Sequence, residues 1–545
     1  MLRFGLNRMD DLGVEQKVGR FPEAATPTSR LRQAARRLSN APVLHTMLFA
    51  AYPVVFLWAQ NLKDDPSPRL ALLLILEMVA GAMLIIAIAY AILRDLRRAC
   101  FVATAFVGAF AAFGRVAREM NIAALGSDET WLLIGWLMAT LGLAVVAGLI
   151  RKRAGGLTRI LNLIAAALVA INVVPIMAHA SGATEGTSAA WPLDASSLDP
   201  SAAGPARDVY YLIFDRYAGE RTLRDLYDFD NAPFLEGLRD RGFVVVDGAL
   251  ANYPQTTHSL ASSLNLTYLD DLAADVGPTS GDWGPLRDSL RASTLSRTLQ
   301  SLGYRYVHLG SWWTPTTIDP TADVEYSYGG EREFSGVYWA TTMWPALAGR
   351  LGIGASPDQW VQQWERVPFQ VEKVLGTAED PRLTFTFAHF TLPHTPYVFH
   401  ADGSMAENAY RPAVVAYVDQ LRFTNTVIAR IADGLLSQPG PLPIIVIQSD
   451  EGPHPPEYDY AGNITWPWAE QSDEELGRKL RILEAVYLPD LVDRSAYEDV
   501  TPVNLFRLIL SDYFGADLPR LADRTEVFVD YQHPYRFVDV TRRVR

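Results

Sequence analysis

Residues 208–219 read DVYYLIFDRYAG. The run Asp208–Phe214 shows no alternation of apolar and polar residues after its first position. A strand with this pattern is buried on both faces, which is the signature of a mostly parallel sheet covered by helices. The run ends on Asp215. In open α/β sheets ligands bind at the C-terminal ends of strands, so an acid placed there is a candidate site residue.

Four further runs share the pattern: Phe243–Val246, Tyr304–Leu309, Leu383–Phe387 and Leu442–Ile447. Helical candidates lie between them, among them Ala232–Arg241, Ser289–Leu302 and Tyr417–Leu436. The alternation predicts an α/β sandwich with a mostly parallel central sheet and helices on both faces.

Polar groups cluster directly after these strands. QSDEGPHP, after Leu442–Ile447, supplies Asp450, Glu451 and His454. AHFTLPHTPYVFH, after Leu383–Phe387, supplies His389, His394 and His400. ANYPQTTHSLASSLN, after Phe243–Val246, supplies Thr256, Thr257, His258 and Ser259, with Ser259–Leu264 reading as a helix. Asp215, Asp450 and Glu451 offer three oxygen ligands to one hard divalent cation. A hydroxyl at a helix N-terminus faces the positive end of the dipole. Beside a metal it becomes a nucleophile, and Thr256 fits that place. Singly, each feature has a plain structural reading: a strand-ending Asp as a turn residue, a Thr as a helix N-cap, a loop His facing solvent. Trp312 and Trp313 (GSWWTPT) line a cleft or pack under the Pro315 loop, and YQHPY (531–535) reads as an arm packed on the domain.

The first third of the chain has a different composition. Apolar stretches cover Val43–Gln60, Leu70–Leu93, Cys100–Gly114, Trp131–Ile150 and Ile160–Ala178. A bilayer-spanning helix needs about 20 apolar residues, with roughly 17–25 the working range. The third stretch is short and reaches this length only by running past Arg115, whose side chain can snorkel. Lys and Arg number 15 in segments 1–42, 94–99 and 151–159, against 4 in 61–69 and 115–130. The positive-inside rule places the first set in the cytoplasm and everything after about residue 180 outside. Some 40 mostly polar residues precede the first apolar run, which reads against a cleavable signal peptide. Glu77, within the second span, is a functional candidate, an interfacial acid or a helix contact. The predicted organisation is a basic cytoplasmic N-terminus (1–42), five membrane helices (43–180), a Ser/Ala/Gly/Pro-rich linker (181–207) and an extracytoplasmic α/β domain (208–545).

Charge follows the same division. Of 48 Lys+Arg and 61 Asp+Glu in 545 residues, 19 and 11 fall in residues 1–180, a net of +8, leaving 29 and 50, a net of −21. The acidic outer half argues against a nucleic-acid partner. The one cysteine, Cys100, excludes a disulfide framework and a Cys-rich metal site.

The outer half, roughly residues 206–515, resembles the sulfatase-like branch of the alkaline phosphatase superfamily. With its membrane helices the chain looks like lipoteichoic acid synthases and phosphoethanolamine transferases. The resemblance implies that Asp215 is the first-strand metal ligand. It makes Thr256 the nucleophile, with Ser259 at the family's +3 spacing; Thr257 has Leu260 there instead. The SDEG segment matches the family's late Asp-His pair, giving Asp450 and Glu451 as ligands. His394, and less closely His454, match the histidines that hold the transferred group, so His394, His454 and Ser259 become substrate-binding candidates. Two departures stand out. No cysteine exists in this half, which excludes formylglycine chemistry. Glu451 stands where the family has His, which favours Mn²⁺, Mg²⁺ or Ca²⁺ relative to Zn²⁺.

The expected activity is that of a metal-dependent phosphotransferase or phosphohydrolase acting on phosphoester head groups of lipids or envelope polymers. A sulfatase without formylglycine, or a non-catalytic sulfatase-like binding domain, are the alternatives.

Overall fold

The computed structural model describes residues 39–62, 68–119, 129–150, 154–182, 198–202, 204–291, 293–328, 332–351, 359–407, 411–455 and 466–545. Most of the basic N-terminus (1–38) and of the linker (183–197) therefore lies outside the described residues, as do parts of the loops between the spans.

Five helices form the first unit: α1 (Leu44–Gln60), α2 (Pro68–Leu93), α3 (Leu96–Glu119), α4 (Glu129–Leu149) and α5 (Ala154–Gly182). The last four are long and apolar enough to cross a membrane, while α1 has 17 residues. The short third stretch does continue through Arg115 into a 24-residue helix. Large apolar side chains such as Leu76, Ile92, Leu163 and Met177 are exposed on the bundle's outer surface. A helix of this kind finds its favourable environment in lipid.

The second unit holds strands β1 (Val209–Phe214), β2 (Val244–Val245), β3 (Arg305–Leu309), β4 (Val324–Tyr326), β5 (Thr384–Phe390), β6 (Ile444–Gln448) and β7 (Glu484–Tyr487) in one sheet ordered β2-β7-β6-β1-β5-β3-β4. The central pairings β6–β1, β1–β5, β5–β3 and β3–β4 are parallel; β7 runs antiparallel to both β6 and β2. The sheet is thus mostly parallel, with an antiparallel margin on one side. The Phe243 run, read as an interior strand, contributes only the two-residue edge strand β2. Strand β1 sits at the middle and is buried at every position. Tyr211, Ile213, Phe387 and Val446 pack into one core cluster, and Leu212, Phe214, Ala388 and Ile447 into another. Alternate residues therefore feed two cores on opposite faces, which is why the strand shows no polar alternation.

Among the helices of this unit, α6 (Thr256–Asn265) lies wholly buried, α7 (Arg332–Ala340) and α8 (Trp344–Leu351) follow β4, α9 (Ala413–Leu436) precedes β6, and α10 (Asp473–Leu480) precedes β7. A small ribbon, β8 (Glu526–Phe528) with β9 (Phe537–Asp539), closes the chain. Its Phe528 stacks on His258 of α6 at 4.7 Å, and the His258 Nε2 lies 2.8 Å from the Pro534 carbonyl. The YQHPY segment is thus packed against the helix that begins at Thr256.

Helices α7 and α8 dock on the membrane bundle. Tyr338 is buried in a cluster with Ala50, Val54, Leu74 and Val107. Met343 N–H donates to the Phe110 carbonyl at 2.9 Å, and its side chain packs with Phe113 and Leu133. Glu77 lies exposed on α2, in electrostatic reach of Tyr338.

Candidate functional site

The parallel register at the sheet's centre decides the site. Ile213 of β1 pairs with His389 of β5 and with Gln448 of β6. Asp215, His389 and Asp450 therefore meet at one edge of three adjacent strands, although 174 and 235 residues separate the last two from the first. One ligand atom from each lies within 4.8 Å of the others. Ligands about 2.0–2.6 Å from one ion stand at most about 4–5 Å apart, so the three can share a divalent cation.

The polar atoms are left as such a cation requires. Asp215, His389 and Asp450 are at most 4 % exposed. Asp215 Oδ1, His389 Nε2 and both Asp450 carboxylate oxygens are buried without a hydrogen-bond partner among the described residues. Buried polar groups are normally paired, so four such atoms around one point call for a charge between them. His389 Nε2 stands 3.6 Å from Asp215 Oδ2. Its Nδ1 lies 2.7 Å from the Thr316 hydroxyl. With Nδ1–H donating to Thr316, the Nε2 lone pair points at the acids, the arrangement that orients an imidazole ligand.

Charge balance points the same way. Burial raises Asp215, but His394, His389 and Arg216 outweigh it and hold its carboxyl below the usual carboxylate range. Burial, then the charges of Asp215 and Glu451, push Asp450 well above its ordinary value. Two adjacent buried carboxylates cannot both ionise without a cation between them.

Glu451, the other expected ligand, is held by neighbouring groups. Its Oε1 lies 2.7 Å from Lys479 Nζ and 3.2 Å from Arg216 Nε, and its Oε2 accepts the Thr256 N–H at 3.1 Å. The carboxylate is occupied by two cations and an amide, and it is absent from the three-residue cluster. His389 is the third member of that cluster. Reading the strand as ending at Phe387 left His389 in the following loop; in the structure β5 continues through Phe390. The available signal was the recurrence of aromatic residues through Phe390 in FTFAHF.

Lys479 was not singled out in the sequence. It is fully buried at the end of α10, and donates to the Gly452 carbonyl at 3.0 Å as well as to Glu451. Burial lowers its pKa to about 8 against the pull of Glu451. Burial raises Glu451, with Lys479 and Arg216 opposing. Arg216 follows the strand-ending acid directly, in the left-handed region at φ 63°. That turn sends its guanidinium toward Glu451 while Asp215 points at Asp450.

Thr256 opens α6 as its first helical residue; Gln255 occupies the cap position. The Thr256 side chain lies near enough to Asp450 to help stabilise its charge. No hydrogen bond of ordinary geometry joins them. Ser259, three residues on, donates its hydroxyl to the Tyr253 carbonyl at 2.8 Å and so locks the turn before the helix. His394 sits across Asp215 with the Trp312 ring 5.6 Å away, and burial followed by Arg216 lowers its pKa to about 4. His454 Nε2 stands 3.8 Å from Glu451 Oε1; burial, Arg216 and Lys479 keep it well below its ordinary value. Trp313 packs with its edge toward His389.

No protein-family model matches the chain, and no curated protein is similar in sequence. Solved structures that are similar include the C-terminal periplasmic domain of EcEptC from Escherichia coli, at 13 % identity over 65 % of this chain and 97 % of that one, TM-score 0.41. The soluble domain of lipooligosaccharide phosphoethanolamine transferase A from Neisseria meningitidis matches at 12 % identity over 59 % and 92 %, TM-score 0.37. A protein named as a sulfatase, yidJ from Bacteroides fragilis, matches at 14 % identity over 60 % and 82 %, TM-score 0.36.

Proposed function

We propose that this chain is a membrane-anchored, metal-dependent phosphotransferase or phosphohydrolase that acts on phosphoester head groups of lipids or envelope polymers, with Thr256 as nucleophile. The observation that supports it most is the meeting of Asp215, His389 and Asp450, with four orphaned buried atoms, beside the first residue of a buried helix. The His/Asp/Asp donor set suits Zn²⁺ or Mn²⁺ better than an all-oxygen set would. Bound there, a divalent ion would supply Lewis-acid charge to the ester oxygens and lower the pKa of the Thr256 hydroxyl.

The chain's own residues do the rest. Thr256 Oγ forms a bond to phosphorus as the bond to the ester's alcohol breaks, and the Thr256 proton leaves on that alcohol. An acceptor alcohol or water then takes the phosphoryl group, and its proton returns to Thr256 Oγ. Fully ionised, as a bound ion would allow, Asp215, Asp450 and Glu451 would carry three negative charges against Arg216 and Lys479, a net of −1. With a divalent ion the total would be +1, which would attract an anionic ester. His394, beside Asp215, faces the same space and is the candidate to hold the transferred group. The N-terminus is on the cytoplasmic side in this reading, and the site is outside.

A Thr256→Ala variant assayed for phosphodiester cleavage tests the proposal. Loss of at least about 100-fold in kcat, with metal content unchanged, is expected of a missing nucleophile. Full activity would exclude Thr256. Assaying sulfate esters on the same preparation distinguishes phosphate from sulfate.

A further inference from the structure

A groove of about 630 Å³ opens in the membrane unit, bounded by α1, α3 and α4 and closed at one end by Thr341 of the outer domain. This is within the roughly 300–1,000 Å³ of small-ligand sites. Small residues on α3, Gly108 and Ala112 among them, form its floor, and Phe56 and Trp136 its walls. A side chain added at Gly108 would meet no atom within 4 Å, so the floor faces open space. Pro53 in α1 removes the helical donor of the Phe49 carbonyl, and both residues lie on the wall.

The groove has a polar mouth. Arg115 lines it, with its guanidinium 5.3 Å from the Phe56 ring centroid. Among the described residues no carboxylate stands within 4.0 Å of Arg115, although it lies inside the apolar helix Leu96–Ala117. An arginine near the end of a membrane helix is stabilised by an anion at the headgroup level. The groove offers an apolar channel below that charge and a contact to the outer domain at Thr341.

We infer that this groove binds one phosphate-bearing anionic lipid, with an acyl chain along Gly108 and Ala112 and the phosphate on Arg115. The site stands apart from the Asp215–His389–Asp450 cluster and does not rest on the activity proposed for it. Because Thr341 lies in the turn between α7 and α8, a bound lipid touches the element that docks the outer domain on the bundle.

The test uses the full chain in neutral detergent, titrated with phosphatidylglycerol or with diacylglycerol of the same chains, and bound lipid counted by native mass spectrometry. Wild type is expected to hold one phosphatidylglycerol, preferred roughly fivefold over diacylglycerol, the attraction of one basic residue for an anionic head. Arg115→Gln is expected to erase the preference while diacylglycerol still binds. Gly108→Leu, filling the floor, is expected to lose both lipids, whereas Gly81→Leu on α2, which also meets open space, keeps wild-type binding and controls for folding. Equal retention of the two lipids by wild type, or unchanged binding in either groove variant, overturns the inference. Thr256→Ala is expected to bind lipid as wild type does, so a failure of the catalytic reading leaves this result intact.

Discussion

Replacing Lys479 by Met removes a cation from beneath the site without touching the three cluster residues. Lys479 Nζ lies 2.7 Å from Glu451 Oε1, and the two side chains are 0 % and 2 % exposed. At an effective dielectric of about 20, that separation corresponds to about 6 kcal/mol of attraction. Desolvation of both ions offsets most of it, so the pair's net worth is small. Removing one partner is a different matter, since an uncompensated buried charge costs about 3–5 kcal/mol. Arg216, 3.2 Å from the same oxygen, remains and compensates in part. The expected loss is therefore about 3 kcal/mol, at the low end of that range. For a domain of this size roughly 2 °C per kcal/mol gives a fall of about 6 °C in Tm. Tryptophan fluorescence of the full chain in detergent is the assay. Glu451→Gln in the Lys479→Met background removes the stranded charge and is expected to restore more than half of the loss, a coupling of about 2 kcal/mol. Metal content is expected to stay at the wild-type level in both variants. Wild-type stability in Lys479→Met, or simple additivity in the double variant, would refute the reasoning. Loss of bound metal on Glu451→Gln alone would restore Glu451 as a ligand.

Other outcomes follow from the same geometry. His389→Ala is expected to lower metal affinity by about 10–100-fold or more, measured by metal titration of chelator-treated protein, because an imidazole donor disappears. Chelation of the wild type is expected to lower Tm, by the equivalent of about 2.7 kcal/mol if the ion had been present at 100 times its Kd. Glu484 on β7 is fully buried, both its oxygens lack partners among the described residues, and burial followed by Asp523 raises its pKa well above 4.5. A folded-state pKa above the unfolded one means that the stabilising contribution is complete below about pH 4.5. It is lost as pH rises through the folded value. Glu484→Gln is therefore expected to gain stability relative to wild type as pH rises above 4.5, read from urea midpoints across pH; a difference independent of pH would contradict this.

Local pattern alone carried much of the fold. Apolar run length marked the five helices of the first unit, since span length is set by the bilayer and needs no tertiary information. Runs without alternation marked β1, β3, β5 and β6, because burial on both faces is written residue by residue. Short strands were not legible. β4 has three residues and β2 two, too few to show a period. At the site, Asp215 and Asp450 were visible because each lies just beyond such a run. His389 was visible as a residue only, since its strand was read three positions short.

The grouping of these residues was a matter for the tertiary structure. Nothing within a few positions of His389 says that β5 lies next to β1, or that β6 lies on its other side. That order arises from non-local pairing through crossovers, and it alone puts an imidazole beside the two acids. The same holds for Glu451. Its sequence position, next to Asp450, suggested a ligand. Its actual environment is set by Lys479, which α10 delivers 28 residues later, and by Arg216, turned toward it by a left-handed backbone. A carboxylate's role is decided by the charges around it, and those come from segments that only folding brings together. Sequence alone therefore determined the two units, their opposite charges and the strand-end acids. The fold decided which of those acids share the candidate metal position with His389 and which one is neutralised from below.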